Sequence, residues 1–80
     1  MINNSFESKD VNMIETGKHL RRLRLGRHKK ISDLQNFFNF EYPQAIYNWE
    51  QGKRMPNISN LLALADYYEV TIDSLIIRRK

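Results

Sequence analysis

Four polar side chains recur at helical spacing in the segment between Pro43 and Gly52. If this segment is a helix, they share one side of it at positions i, i+3, i+4 and i+7: Gln44, Tyr47, Asn48 and Gln51. Three of the four are carboxamides, and each carboxamide offers a hydrogen-bond donor together with an acceptor. Ile46 and Trp49 fall on the opposite side. The segment therefore predicts a short amphipathic helix whose outer face recognises a partner through paired donors and acceptors.

Basic residues are concentrated in the same part of the chain. Residues 18–54 contain nine Lys and Arg against three Asp and Glu, whereas residues 55–77 contain three acidic residues and no basic one. This uneven distribution favours one face that meets a polyanion. The alternative is that the basic side chains only solvate the outer face of a helix.

The elements before and after the carboxamide face complete a motif. A helix ending at Phe38, a tight turn and a helix over residues 43–51 make a helix-turn-helix, whose second helix enters the major groove of DNA. Asn and Gln pair there with N6 and N7 of adenine. We therefore expect Gln44, Tyr47, Asn48 and Gln51 to contact bases, although a polar face with nothing bound is the alternative. Phosphate contacts are expected from basic and polar side chains nearby: Lys30, Gln35, Tyr42, Lys53 and Arg54.

Residues with special backbone preferences predict where the helices begin and end. Thr16 is the expected N-cap of a first helix that ends near Arg27. Asn39 suits the left-handed conformation that ends the second helix. Pro43 suits the first position of the third helix, and Gly52 suits its end.

The remaining boundaries give an all-α chain of five short helices. The second helix starts either near Lys30, which we favour, or at a capping box over residues 32–35. Asn57 and Thr71 are the expected caps of the fourth and fifth helices. Apolar residues at helical spacing are expected to face the core: Ile31, Leu34, Phe38, Ile46, Trp49, Ile58, Leu61, Leu62, Ala65, Tyr68, Ile72, Leu75 and Ile76. Residues 1–13 are expected to form a flexible N-terminal arm, residues 14–77 the domain, and residues 78–80 a basic tail.

Composition argues against several classes of function. The chain has no cysteine, which excludes disulfides, thiolate nucleophiles and cysteine-based zinc sites and favours a reducing cytoplasm. Its N-terminus does not resemble a signal peptide, and no apolar run approaches the length of a membrane span. We find no phosphate-binding glycine loop or nucleophile elbow, and His19 and His28 are more simply read as solvated or phosphate-facing. We therefore expect no enzyme, no metal, no cofactor and no small-molecule ligand.

The stretch from Gly17 to Ile76 resembles the Cro/cI-like (Xre) family of helix-turn-helix repressors. The resemblance is carried by Leu20-x-x-Leu23-Arg24, by Trp49-Glu50-x-Gly52-Lys53-x-x-Pro56 and by Leu61-Leu62-x-Leu64-Ala65. It implies a compact, five-helix, lambda-repressor-like DNA-binding domain and a transcriptional regulator, with a repressor as the expected sign of regulation.

The same resemblance implies roles for individual residues. The residue at Gln44 reads bases, those at Tyr47 and Asn48 contact bases or phosphates, and Lys53 and Arg54 approach the backbone of the DNA. Arg24 and Glu50 are implied to form a structural ion pair between the first and third helices. Two departures concern the turn, which has Asn39 in place of the usual glycine and one extra residue at Glu41-Tyr42, with Tyr42 at the expected N-cap.

A helical protein-interaction module, or an antitoxin-like partner of another protein, is the alternative function. The chain has more aromatic residues than a core of this size must bury: Phe37, Phe40, Tyr42, Tyr67 and Tyr68. Ordinary packing in the core and at its rim is the favoured explanation of these residues. Some of them would alternatively form the seam of a homodimer that binds two half-sites of an operator.

Overall fold

The computed structural model describes residues 11–79, which fold into five helices. They are α1 (Met13–Gly26), α2 (Ile31–Phe38), α3 (Gln44–Glu50), α4 (Ile58–Tyr68) and α5 (Ile72–Leu75). In this part of the chain the only extended pairing is an isolated antiparallel bridge between Val11 and Arg78. The predicted all-α, five-helix fold is confirmed. No helix in residues 11–79 has the length and apolar character needed to cross a membrane.

The first helix starts earlier than the sequence suggested. Asn12 is its N-cap, and the Asn12 side chain accepts a hydrogen bond from the Glu15 N–H at 3.0 Å. The prediction that Thr16 caps this helix is wrong, because Thr16 is fully buried and serves a long-range contact. Its hydroxyl accepts the Ile77 N–H at 2.9 Å and lies 3.3 Å from the Ile77 carbonyl oxygen.

The two ends of the described chain are joined to each other. The Asn12 N–H donates to the Ile77 carbonyl at 2.8 Å, next to the bridge between Val11 and Arg78. The folded body thus includes residues 11–13, which the sequence assigned to the arm. Residues 1–10 of the expected arm and Lys80 of the expected tail lie outside the described residues.

The second helix and the turn after it follow the predicted chemistry. Lys30 is the N-cap of α2, and its N–H donates to the Asp33 carboxylate at 2.7 Å. The alternative start at Ser32 is therefore wrong. Asn39 ends the helix with φ 58° and ψ 41°, the left-handed conformation expected of it.

The third helix is one residue shorter at each end than predicted. Pro43 precedes its first residue with φ −83° and Tyr42 makes no cap, whereas Gly52 follows the helix with φ 75° as expected. Asn57 and Thr71 cap α4 and α5 through their side chains, as predicted.

The core contains side chains from all five helices: Leu20, Leu34, Ile46, Trp49, Leu61, Leu64, Ala65, Tyr68 and Leu75. Two residues expected to face it do not, since Ile58 is 68% exposed and Leu62 is 54% exposed. The buried stripe of α4 is Leu61, Leu64, Ala65 and Tyr68 at i, i+3, i+4 and i+7. Helical spacing predicted a stripe on α4, but the stripe is centred on the side that includes Leu64 and excludes Ile58 and Leu62.

Candidate nucleic-acid interface

The third helix has one buried side and one exposed side. Ile46 and Trp49 are buried in the core, and the partly buried Phe38 and Phe40 pack edge-on against Trp49 with ring centroids 5.4 and 6.0 Å away. On the other side, three of the four predicted base-contacting side chains are exposed and Asn48 is half-buried. The helix is therefore held by its apolar side, which leaves the carboxamide face on the surface.

Two of the carboxamides are joined to each other. The Gln44 amide nitrogen donates to the Asn48 side-chain oxygen at 3.1 Å, across one turn of α3. One N–H of Gln44 is used in this way, so its carbonyl oxygen and second N–H keep their capacity for a partner. An amide oriented like this presents an acceptor beside a donor, which is the arrangement that pairs with an adenine edge.

A buried ion pair holds the C-terminal end of α3. Arg24 Nε donates to Glu50 Oε2 at 2.8 Å, and Arg24 Nη2 donates to Glu50 Oε1 at 2.9 Å. Arg24 Nη1 also donates to the Lys29 carbonyl at 3.0 Å. The two side chains are only 9% and 7% exposed. The pair implied by the family resemblance is formed, and it connects α1 and the α1–α2 loop to α3.

The protonation states around this pair are fixed by its surroundings. The hydrogen bonds that Arg24 donates to Glu50 raise the pKa of Arg24, and burial, which opposes the charge, does not cancel this effect. Burial is also the main cause that raises the pKa of the adjacent Tyr68 above its usual range, with a further contribution from the negative charge of Glu50. Arg24 is thus charged and Tyr68 neutral at physiological pH.

Two glycines let α1 approach this end of α3. A Cβ atom at Gly17 would lie 2.5 Å from the Glu50 carbonyl oxygen and 2.6 Å from that of Trp49. At Gly52, which has φ 75°, a Cβ atom would lie 2.7 Å from the Ile14 Cα. Sequence reasoning assigned no packing role to Gly17. Its only signal was a glycine inside a helical pattern, where glycine is otherwise unfavourable.

The predicted phosphate-contacting residues fall into two groups. The exposed ones are Lys30, Tyr42, Lys53 and Arg54. The N–H groups of Lys53 and Arg54 donate to the Asn48 carbonyl at 2.9 and 3.3 Å, which folds this loop against the end of α3. The backbone of these two exposed basic residues therefore lies next to Asn48, which belongs to the carboxamide face.

Gln35, which is partly buried, makes its hydrogen bonds within the protein. Its side-chain nitrogen donates to the carbonyl oxygens of Phe40 and Glu41, at 3.3 and 3.2 Å, in the turn before α3. The amide hydrogens that a phosphate contact would need are used inside the protein.

The two histidines have different surroundings. His19 Nε2 is 2.8 Å from the Ser74 carbonyl oxygen, which joins α1 to α5, and His28 is an exposed residue with φ 57°. Within residues 11–79, no group of three His, Cys, Asp or Glu side chains could hold a metal ion.

The sequence and the fold match known helix-turn-helix proteins. A family model described as Helix-turn-helix (HTH_3) matches residues 20–75. A structure of the S. venezulae BldD DNA-binding domain is similar, with 22% identity, a TM-score of 0.67, and coverage of 80% of this chain and 94% of that chain. A crystal structure of the DNA-binding domain of BldD matches with the same identity, TM-score and coverage of this chain, and over 92% of its own length. No curated protein matches the sequence.

The family match spans the two helices of the motif, the second half of α1 and all of α4 and α5. It includes the Arg24–Glu50 pair, the carboxamide face of α3 and the buried stripe of α4. The chain belongs to the Cro/cI-like helix-turn-helix family of sequence-specific DNA-binding transcriptional regulators.

Proposed function

We propose that this regulator is a cytoplasmic repressor that binds double-stranded DNA with residues 43–51 in the major groove. The observation that carries the proposal is the hydrogen-bonded pair Gln44–Asn48 on the exposed side of α3. Burial of Ile46 and Trp49 and the Arg24–Glu50 ion pair at the C-terminal end hold α3 in place. The helix therefore presents the Gln44–Asn48 pair in one fixed orientation, which base recognition requires.

In this proposal, different side chains contact the bases and the phosphates. Gln44 and Asn48 read base edges, while Tyr47 and Gln51 extend the reading face to either side of them. Lys30, Tyr42, Lys53 and Arg54 contact phosphates and set the position of α3 on the duplex. The exposure of all four residues supports this assignment.

A homodimer is the form we propose to bind DNA. Two copies related by a two-fold axis place their reading helices about 34–36 Å apart, in successive major grooves. The exposed apolar pair Ile58 and Leu62, one turn apart on α4, supports a contact between protein chains. We propose no cofactor, small-molecule ligand or catalytic step.

The second candidate function, a protein-interaction module, is favoured by exposed aromatic residues. Phe37 and Tyr42 are both exposed, and Phe37 packs on Tyr67 with ring centroids 4.6 Å apart. Salt separates the two functions, because DNA affinity falls with salt by a slope of about 0.9 per phosphate contacted. A protein-interaction module has no such dependence on DNA.

Selection of bound sequences from random DNA, followed by titration of the selected duplex at several salt concentrations, tests the proposal. We expect Gln44→Ala and Asn48→Ala each to cost about 1–3 kcal/mol on the selected site and to relax base preference. Because the two side chains are hydrogen-bonded to each other, the affinity losses of the two single variants should not add up in the double variant.

Lys53→Ala is the matched control on the phosphate side. It should weaken binding to all sequences alike and reduce the salt slope by about one phosphate contact. Unchanged sequence preference in both carboxamide variants would show that α3 does not read the bases.

A further inference from the structure

The turn between α2 and α3 has few constraints of its own. It comprises residues 39–43, of which Asn39 and Phe40 still donate their N–H groups to the end of α2, to the carbonyls of Asn36 and Gln35. Glu41 and Tyr42 are exposed. Pro43 carries no N–H, and α3 begins without a side-chain cap.

One side chain bridges the gap in this turn. Gln35 lies one helical turn before Asn39, and its amide nitrogen donates to both the Phe40 and the Glu41 carbonyls. Within residues 11–79, these two hydrogen bonds are the ones that connect a side chain of α2 to the backbone of Phe40 and Glu41. The Phe40 ring, stacked on Phe38 at 5.0 Å, holds the same residue from the core side.

Gln44 follows this bridge closely along the chain. The helix α3 has seven residues, and its C-terminal end is fixed by the Arg24–Glu50 pair. Any change in how the turn leaves α2 must therefore appear at the N-terminal end, where Gln44 is the first helical residue. Only Tyr42 and Pro43 separate Gln44 from the second carbonyl that Gln35 holds.

We propose that Gln35 is a positioning residue for base recognition: it sets the place of Gln44 in the groove by holding the Phe40 and Glu41 carbonyls, and it does not contact phosphate. This inference rests on the proposed DNA-reading role of α3. It assigns specificity to a side chain that lies outside the reading helix and touches no base.

The dependence of DNA affinity on salt and on DNA sequence distinguishes a positioning role of Gln35 from a phosphate contact. Loss of a phosphate contact weakens binding to every duplex and lowers the salt slope. Loss of a positioning contact weakens binding to the selected site while leaving the salt slope and the affinity for an unrelated duplex unchanged.

The test uses the full chain with Gln35→Met, which keeps the length of the side chain and removes its N–H donors. We expect affinity for the selected duplex to fall ~10-fold, the order expected when Gln44 loses its pairing with a base. Gln35→Asn, which keeps the carboxamide but shortens its reach, should give the same pattern. Asn36→Ala, at the exposed neighbouring position on α2, is the control and should bind like the parent.

The decisive measurement repeats Gln35→Met in a Gln44→Ala background. If Gln35 acts through Gln44, adding Gln35→Met to the Gln44→Ala variant should change its affinity for the selected duplex less than twofold, because the side chain being positioned is gone. Additive losses, an equal loss on all duplexes with a lower salt slope, or no loss from Gln35→Met would each overturn the inference. Unchanged preference in both Gln44→Ala and Asn48→Ala would instead overturn the proposed function of α3, so the two failures are distinguishable.

Discussion

The two ends of α3 are held in different ways. At the C-terminal end, Glu50 accepts two hydrogen bonds from Arg24 inside the protein, and the backbone of α1 lies against the last residues of the helix at Gly17. At the N-terminal end, no side chain caps the helix, and the preceding turn is tied to α2 by the amide of Gln35.

This difference separates stability from recognition along a helix of seven residues. Buried charge and backbone contact make the C-terminal end costly to disturb, because neither can be relieved without moving α1. The hydrogen bonds at the N-terminal end are partly exposed, so their loss costs less stability. We therefore expect changes at the C-terminal end to unfold the protein and changes at the N-terminal end to alter its DNA preference.

The largest expected effect is the loss of one partner of the buried ion pair. Arg24→Met should lower the free energy of unfolding by about 3–5 kcal/mol, because it leaves the Glu50 carboxylate buried and unpaired. Urea unfolding followed by circular dichroism measures the change.

Replacing both partners is the matched control. In Arg24→Met with Glu50→Leu no charge is left buried, so most of the lost stability should return. A double variant as unstable as Arg24→Met would mean that the hydrogen bonds themselves, and not the stranded charge, dominate the cost.

A somewhat smaller loss is expected at the contact between the backbones of α1 and α3. Gly17→Ala should cost about 2–3 kcal/mol, because its Cβ atom meets two carbonyl oxygens that cannot rotate away. Gly26→Ala, near the end of the same helix and with no atom within 4 Å of the added carbon, serves as its control. It should be neutral or stabilising by up to ~1 kcal/mol. Equal thermal midpoints for the two variants would contradict close packing at Gly17.

The smallest effect is expected at the turn on the other side of α3. Asn39→Ala should cost about 1–2 kcal/mol, because at φ 58° the alanine Cβ atom crowds the following carbonyl oxygen and no polar side chain offsets the strain. Asn39→Gly, which accepts this conformation readily, should stay within about 0.5 kcal/mol of the parent. A loss in Asn39→Gly as large as in Arg24→Met, measured under the same urea conditions, would remove the difference between the two ends.

The sequence predicted features whose cause is local. Asn39 and Gly52 have positive φ because their side chains, or the lack of one, tolerate it, and this depends little on the rest of the molecule. The sides of α3 followed from spacing alone, since Ile46 and Trp49 could be buried together only if the carboxamides faced outward.

Other predictions failed where the cause lies far away in the chain. Thr16 has the chemistry of an N-cap, but its hydroxyl is used by Ile77, 61 residues later. Ile58 and Leu62 fit an apolar stripe as well as Leu64 does, and only packing against the rest of the core decides that Leu64 is buried. The Arg24–Glu50 pair could be expected from the family resemblance, whereas spacing alone leaves Glu50 as an ordinary acid at a helix end.

By itself, then, the sequence determined the five helices, most of their ends and the carboxamide face of the third, because backbone preference and helical period act over a few residues. The tertiary structure decided which side of α4 is buried and how closely α1 approaches α3 at Gly17. It also decided that the Gln35 side chain donates its hydrogen bonds to the turn between α2 and α3. These depend on partners that the period of a single helix cannot specify, and they fix how firmly each end of α3 is held.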